Sequence, residues 1–206
     1  MVGVLQVAVD RRASAQCGVK MLDPERTAEM VVAAKHGDAT AFTALVRAFL
    51  RPAYAIALSV LRRPADAEDV AQDALLVAFE KLDTCNEPRR FAGWLLTIAR
   101  RRALNALGSR KVREAHAKGD GTEVVSSARW PDQVGLRERL LQALDQLSPL
   151  QCQVVLLCDL EGWTHAEVGT ALGISELMSR QHLFNARRKL RGLLATEGSV
   201  EAQHDR

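Results

Sequence analysis

The sequence predicts an all-α fold: two small helical domains joined by a flexible linker, the C-terminal one containing a helix-turn-helix. Three observations predict it. Leu, Ala, Arg and Glu dominate, apolar residues recur at three- and four-residue spacing, and β-branched alternation is brief wherever it occurs. That periodicity lapses over residues 114–133, "EAHAKGDGTEVVSSARWPDQ", where Gly, Ser and Asp accumulate. Beyond the lapse, two capped helical segments are separated by a glycine turn. The 206 residues suffice for one domain or two small ones, and an aromatic content of 4% implies cores built mostly from Leu, Ala and Val.

Residues 1–23 read as a flexible N-terminal extension. Their apolar start, "MVGVLQVAV", is preceded by no basic residue and is too short to span a bilayer, so the chain is expected to be soluble and cytoplasmic, without membrane insertion. Asp23 before Pro24 marks the first helix start. "HGD" at 36–38 breaks that helix, and Asp38 can cap the next, whose buried face is Ala41, Phe42, Leu45, Val46 and Phe49. Pro52 is expected to bend or restart this rod. Pro64 opens a third helix, "PADAEDVAQDALLVAFEKL", with acids in its first turns and Val70, Leu75 (or Leu76) and Phe79 as its buried side. The loop "DTCNEPRR" leads into "FAGWLLTIARRRALNALGSRKVR", residues 91–113. At about 100° per residue, Arg102 and Asn105 fall on the arc begun by Phe91, Trp94 and Ile98. One rod is thus apolar where it begins and basic where it ends, which suits a helix rooted in protein and facing a polyanion. These elements make a first domain over 24–113.

The linker, 114–133, holds Trp130, a docking anchor or equally a staple before Pro131. A second domain follows over 134–194. "VGLRERLLQALDQL" is helical, and Ser148-Pro149 starts the helix through "LQCQVVLLCDLEG". Thr164 with Glu167 forms a capping box, Gly173 permits a tight turn, Ile174 plugs the core and Ser175 caps the final helix. That helix is expected to expose Ser179, Arg180, His182 and Arg187 and to bury Leu177 or Met178, Leu183, Ala186 and Leu190. Residues 195–206 read as a frayed tail.

The net charge of +3 is mild, but its distribution is not. Asp66 to Glu87 holds seven acidic residues and one basic; Arg89 to Arg113 holds eight basic residues and no acidic one. Two adjoining surfaces for different partners are implied. Cys17, Cys85, Cys152 and Cys158 form no CxxC pair and no ligand spacing with histidine, so reduced core thiols are expected. Asp69 and Asp73 share a helix face, yet a metal enzyme would need facing carboxylates that no other helix supplies. Glycine-rich phosphate loops, G-x-S-x-G and HExxH are absent from the sequence. The chain is therefore expected not to be an enzyme, with no cofactor and no metal.

"GDATAF", "DAEDVAQDALLVAFEKL", "FAGWLLTIARRRALN" and "LEGWTHAEVGTALGIS…SRQHLFNARRKL" together resemble a bacterial RNA polymerase sigma factor of the sigma-70 class, in the extracytoplasmic-function group. The resemblance spans residues 37–112 and about 137–192. It implies that 24–113 is region 2 and 134–194 region 4. It implies core polymerase binding, to the β′ clamp helices and the β subunit, through Asp66, Glu68, Asp69, Gln72, Asp73 and Leu76. It implies −10 recognition and melting by Asn86, Arg89, Arg90, Trp94, Arg100, Arg101, Asn105 and Arg110, although Trp94 also sits on the apolar arc. It implies −35 recognition by Ser175, Ser179, Arg180, His182 and Arg187, and regulation by an anti-sigma factor. Leu177-Met178 stands where relatives often carry Gly-Thr, and Asn105 where they often carry Asp. The alternative is a stand-alone helix-turn-helix regulator.

Overall fold

The computed structural model describes residues 23–117 and 134–201; the extension 1–22, residues 118–133 with Trp130, and 202–206 lie outside the described residues. Eight α-helices are found there, and no strand: α1 (Pro24–Lys35), α2 (Ala39–Leu61), α3 (Pro64–Glu80), α4 (Phe91–Ala117), α5 (Val134–Asp145), α6 (Pro149–Val155), α7 (His165–Leu172) and α8 (Glu176–Glu201). Short 3₁₀ turns at Leu82–Thr84 and Pro88–Arg90 precede α4, and a π turn, Leu156–Leu160, prolongs α6.

The start signals act as their chemistry requires. Pro24, Pro64 and Pro149 each open a helix, where a missing N–H costs nothing. The Asp38 carboxylate accepts from Thr40 N at 2.8 Å and Ala41 N at 3.1 Å, and these bonds hold it below the usual carboxylate range, the Thr40 hydroxyl contributing most. Ser148 with Gln151 and Thr164 with Glu167 close two capping boxes.

Two expectations change here. Pro52 does not restart the rod: α2 is one helix from Ala39 to Leu61, with Pro52 buried inside it. The lost backbone bond is outweighed by burial, since α2 packs against α1, α3, α4 and α6. Likewise α8 does not fray at 195 but runs to Glu201, because Ala195 and Glu197 are ordinary helix formers and no proline intervenes. On α4 the helix passes Arg113 and ends at Ala117.

The core is alanine-rich, which lets helix axes approach closely. Ala53, Ala57, Ala67, Ala71, Ala74, Ala99 and Ala103 are all buried, interleaved with Leu45, Phe49, Ile56, Leu61, Leu75, Phe91 and Leu95. Phe49 and Phe91 meet edge to face at 5.3 Å. Leu75 faces this core and Leu76 does not. Phe79, expected to be buried, is 37% exposed and rests its ring 4.4 Å from Phe42. Its azimuth explains this: it stands about 120° from the centre of the buried Ala67–Ala71–Ala74–Ala78 stripe. By length and composition α2 could cross a membrane, but 61% of its apolar window is buried inside the protein, as suits a core helix. The same core continues into the second unit through Leu144, Leu147, Cys152, Leu157 and Trp163.

Candidate nucleic-acid interface

Three outward faces collect the candidate residues. The first lies on α3. With alanines filling the inner stripe, Asp69, Gln72, Asp73 and Leu76 fall within about 100° on the opposite side. Glu68, Asp69 and Asp73 are exposed, Asp66 and Gln72 half-buried, and Leu76 is 43% exposed at the middle of the face. Asp66 and Asp73 are partly neutralised by α4, through Arg110 at 3.4 Å and Arg102 at 3.6 Å. Glu68 and Asp69 make no ion pair among the described residues. The face is therefore acidic at one end and apolar at its centre, which fits a basic, partly apolar protein surface.

The second face is on α4 and the loop before it. Phe91, Ala92, Leu95, Leu96, Ala99 and Ala103 are buried, so the far side carries Trp94, Arg101 and Asn105 along one edge. Arg100 and Arg101 are exposed and pair with no carboxylate among the described residues. Trp94 is half-buried, 5.7 Å from Phe91, and lines a cleft of about 430 Å³ with Asn86, Arg90 and Thr97. Its two assignments are compatible: one edge packs on the core and the other faces the cleft. Arg90 pairs with Glu87 at 3.1 Å and Arg89 with Glu25 at 3.0 Å, and both cations remain exposed. Arg110 is not brought to this edge. It lies on the side toward α3, half-buried against Asp66, because it sits about 160° around the helix from Trp94.

The third face is on α8. Gly173, at φ 68°, ends α7 in the left-handed region that glycine adopts freely. Gly169 is obligatory for a different reason: a Cβ there would stand 2.8 Å from the Ile174 carbonyl oxygen, inside the tight turn. Ser175 then caps α8, its Oγ accepting from Met178 N at 3.1 Å. Ser179, expected outward, is a correction: it is fully buried, and its Oγ bonds His165 Nδ1 at 3.0 Å. Ser179 falls on the same arc as Leu183 and Ala186, so only burial satisfies both neighbours. Leu177 or Met178 was expected on the inner side, but they are 74% and 43% exposed, and His182 is half-buried. Arg180 is outward and pairs with Glu176, and Arg187 pairs with Asp159, its Nε 3.1 Å from Oδ2. That carboxylate pushes the Arg187 guanidinium further up. The most outward line is Leu177, Gln181, Phe184 and Arg188; Phe184 is 61% exposed. Gln181, Phe184 and Arg188 were missed. Counting from Leu177 at i+4, i+7 and i+11 finds them.

Cys85 and Cys152 are buried, and burial pushes both thiols up, which leaves them as protonated core groups. Cys158 is half-buried and shifted the same way by burial and by Asp159. Among the described residues no cluster of three or more His, Cys, Asp or Glu could hold a metal ion.

A helical body with an acidic, partly apolar face and a basic edge, followed by a helix-turn-helix, fits a DNA-binding protein of transcription. Residues 45–113 match the family described as Sigma-70 region 2, and residues 137–190 that described as Sigma-70, region 4. The chain is 35% identical over 136 residues to the RNA polymerase sigma factor CarQ of Myxococcus xanthus, covering 66% of this chain and 78% of CarQ. It is 34% identical over 165 residues to the ECF RNA polymerase sigma factor SigL of Mycobacterium tuberculosis, covering 75% and 92% respectively. The sigma factor RpoE of Bartonella quintana, solved in complex with the anti-sigma factor NepR, superposes with a TM-score of 0.57 at 25% identity, over 75% of this chain and 96% of that one. The chain belongs to the sigma-70 family of RNA polymerase sigma factors, in the extracytoplasmic-function group, and is a factor of transcription initiation. Membership of that family fits a protein that is not an enzyme.

Proposed function

We propose that the three faces divide the work of a promoter-specificity subunit. The α3 face, centred on Asp69, Gln72, Asp73 and Leu76, docks on the β′ clamp helices of core RNA polymerase, with Asp66 and Glu68 at its margin. Region 2, over 24–113, captures an unstacked −10 strand along Asn86, Arg90, Trp94, Arg101 and Asn105, where exposed guanidiniums meet phosphates and the Trp94 edge offers a stacking surface. Arg89 and Arg100 flank that path. Region 4, over 134–194, enters the −35 major groove with Gln181, Phe184 and Arg188 on the outward line of α8 and with Arg180 and Arg187 beside it. Ser175 stays at the helix N-terminus, where its neighbours' N–H groups can meet a phosphate.

An anti-sigma factor restrains this chain, as the RpoE relative suggests, and the protein works in the cytoplasm, where its polymerase is. The observation that carries the reading is the separation of one acidic-apolar face from two basic ones on a single chain. Its test is co-purification with core polymerase. Asp69→Arg with Leu76→Ala should abolish binding while the circular dichroism spectrum stays helical. Undiminished binding by this variant would place the docking face elsewhere.

A further inference from the structure

The loop that carries Asn86 has no regular structure of its own to hold it. The 3₁₀ turn Leu82–Thr84 stops where Cys85 N donates to the Leu82 carbonyl at 3.0 Å, and the next turn opens only at Pro88. Between them Cys85, Asn86 and Glu87 belong to no helix or strand. Cys85 is 2% exposed, while its neighbour Asn86 is exposed and lines the cleft beside Trp94 and Arg90. The Asn86 side-chain amide bonds to no group among the described residues, so its donor and acceptor are both available to a base edge.

Helix α1 holds this loop. Lys35, the last residue of α1, is half-buried, and its Nζ donates to the Cys85 carbonyl at 2.8 Å and reaches the Asp83 carbonyl at 3.5 Å. Both carbonyls come where the 3₁₀ turn gives out, and among the described residues no backbone N–H takes either of them. An ammonium on a flexible stem can aim its donors at two such oxygens, and a charge-assisted bond of this length is stronger than a neutral one. At its other end, about 15 Å away, α1 meets the loop again through Glu25, which accepts from Arg89 at 3.0 Å. That pair is exposed on both sides, so solvent screens it and it holds little. Lys35 is therefore the main polar tie between α1 and the peptide that bears Asn86. The Cys85 carbonyl and the Asn86 N–H share one rigid peptide plane. A bond that fixes the carbonyl fixes the direction in which Asn86 leaves the backbone.

We propose that Lys35 is a positioning residue for promoter recognition: by holding the Cys85–Asn86 peptide, it aims the Asn86 amide at an unstacked base of the −10 strand without touching DNA itself. The inference rests on the proposed role of the cleft as the −10 strand path and adds how one of its readers is aimed. Two other roles for a cation here leave different signatures. A Lys35 that met phosphate would contribute equally on every sequence and add to the salt slope. A Lys35 that only stabilised α1 would change the melting temperature and the active fraction, and neither alters a ratio between two sequences.

The test uses holoenzyme reconstituted from core polymerase and the full chain, presented with a single-stranded DNA pool randomised over about 10 nucleotides. Sequencing the bound fraction gives the base preference at each position, and Asn86→Ala identifies the position at which preference is lost. There, Lys35→Met, of like length but without a donor, should reduce the preference about 5- to 10-fold, a large part of what one base contact discriminates. Total affinity should fall by less than about 3-fold, with the salt slope unchanged. Lys35→Arg keeps the charge and the donors and should retain the preference. In the Asn86→Ala background Lys35→Met should change nothing further, because two residues that act through one contact are not additive. Wild-type preference kept by Lys35→Met would overturn the positioning role and leave the −10 path standing. So would an even loss on all sequences with a salt slope lower by about one. A wild-type holoenzyme with no base preference at any position would overturn the −10 reading of the cleft, and the inference with it. A preference that Asn86→Ala leaves intact would remove Asn86 as a reader and Lys35 as its support.

Discussion

Gln153 is 1% exposed on α6, and its Nε2 has no hydrogen-bond partner. A buried donor without a partner carries its full desolvation cost, so Gln153→Met, of similar length and no polarity, should stabilise the protein by about 1 kcal/mol. Thermal unfolding checks this, with a rise of about 2–4 °C expected for a chain of this size. Glu161 offers a second test. Burial pushes its carboxyl above the ordinary value of 4.5, and the Arg51 guanidinium pulls it only part of the way back. The native state therefore holds this proton more tightly than the unfolded chain. Stability from this site is fully present below the unfolded value and is lost as pH rises through the folded one. Glu161→Gln keeps an acceptor for Arg51 without the charge, so its melting temperature should equal or exceed wild type at pH 7 and converge with it as pH falls below the ordinary value of 4.5. A variant several degrees less stable at pH 7 would show that the ion pair outweighs its desolvation. Residue chemistry of the local kind was legible in the sequence: Asp38, Ser148 and Thr164 cap helices within three residues of themselves, so their partners stand beside them in the text. Ser179 was not, because a serine beside Arg180 reads as a DNA contact until His165, fourteen residues back, is seen to hold it.

At the scale of an element, each helix was readable and its rotation was less so. The apolar stripe of α4 fixes its inner face, and from it the outer edge of Trp94, Arg101 and Asn105 follows. On α8 the inner stripe is only Ser179, Leu183, Ala186 and Leu190, and its one polar member shifts the apparent axis enough to turn Ser179 outward and Leu177 or Met178 inward. Correcting the rotation gives a sharper test. Phe184→Ala and Gln181→Ala should each weaken binding to the cognate −35 duplex by about 1–3 kcal/mol with little change on other sequences. Arg188→Ala should weaken binding on every sequence and lower the salt slope by about one. Titration at several salt concentrations separates the two, and a uniform loss for Phe184→Ala would remove it from base recognition. On α3, Leu76→Ala should leave stability within about 0.5 kcal/mol, since the side chain is already solvated, yet reduce core polymerase affinity about 10-fold. Equal binding by this variant would take Leu76 out of the docking face.

At the scale of the whole molecule the order of regions was legible and their contact was not. Charge asymmetry between α3 and α4 and the paired caps of the helix-turn-helix lie within contiguous stretches, and the family matches at 45–113 and 137–190 fall on those same stretches. Arg62 reaches acceptors more than eighty residues away, and those acceptors are backbone carbonyls, which every residue carries. A contact of that kind leaves no pattern in a sequence.

The measurement that bears on the central claim is run-off transcription from fragmented genomic DNA of the source organism, using purified core polymerase with and without this chain. The account predicts new discrete start sites that appear only with the chain and share two spaced motifs upstream. Core polymerase that gains no start sites from a folded, core-bound chain would contradict it.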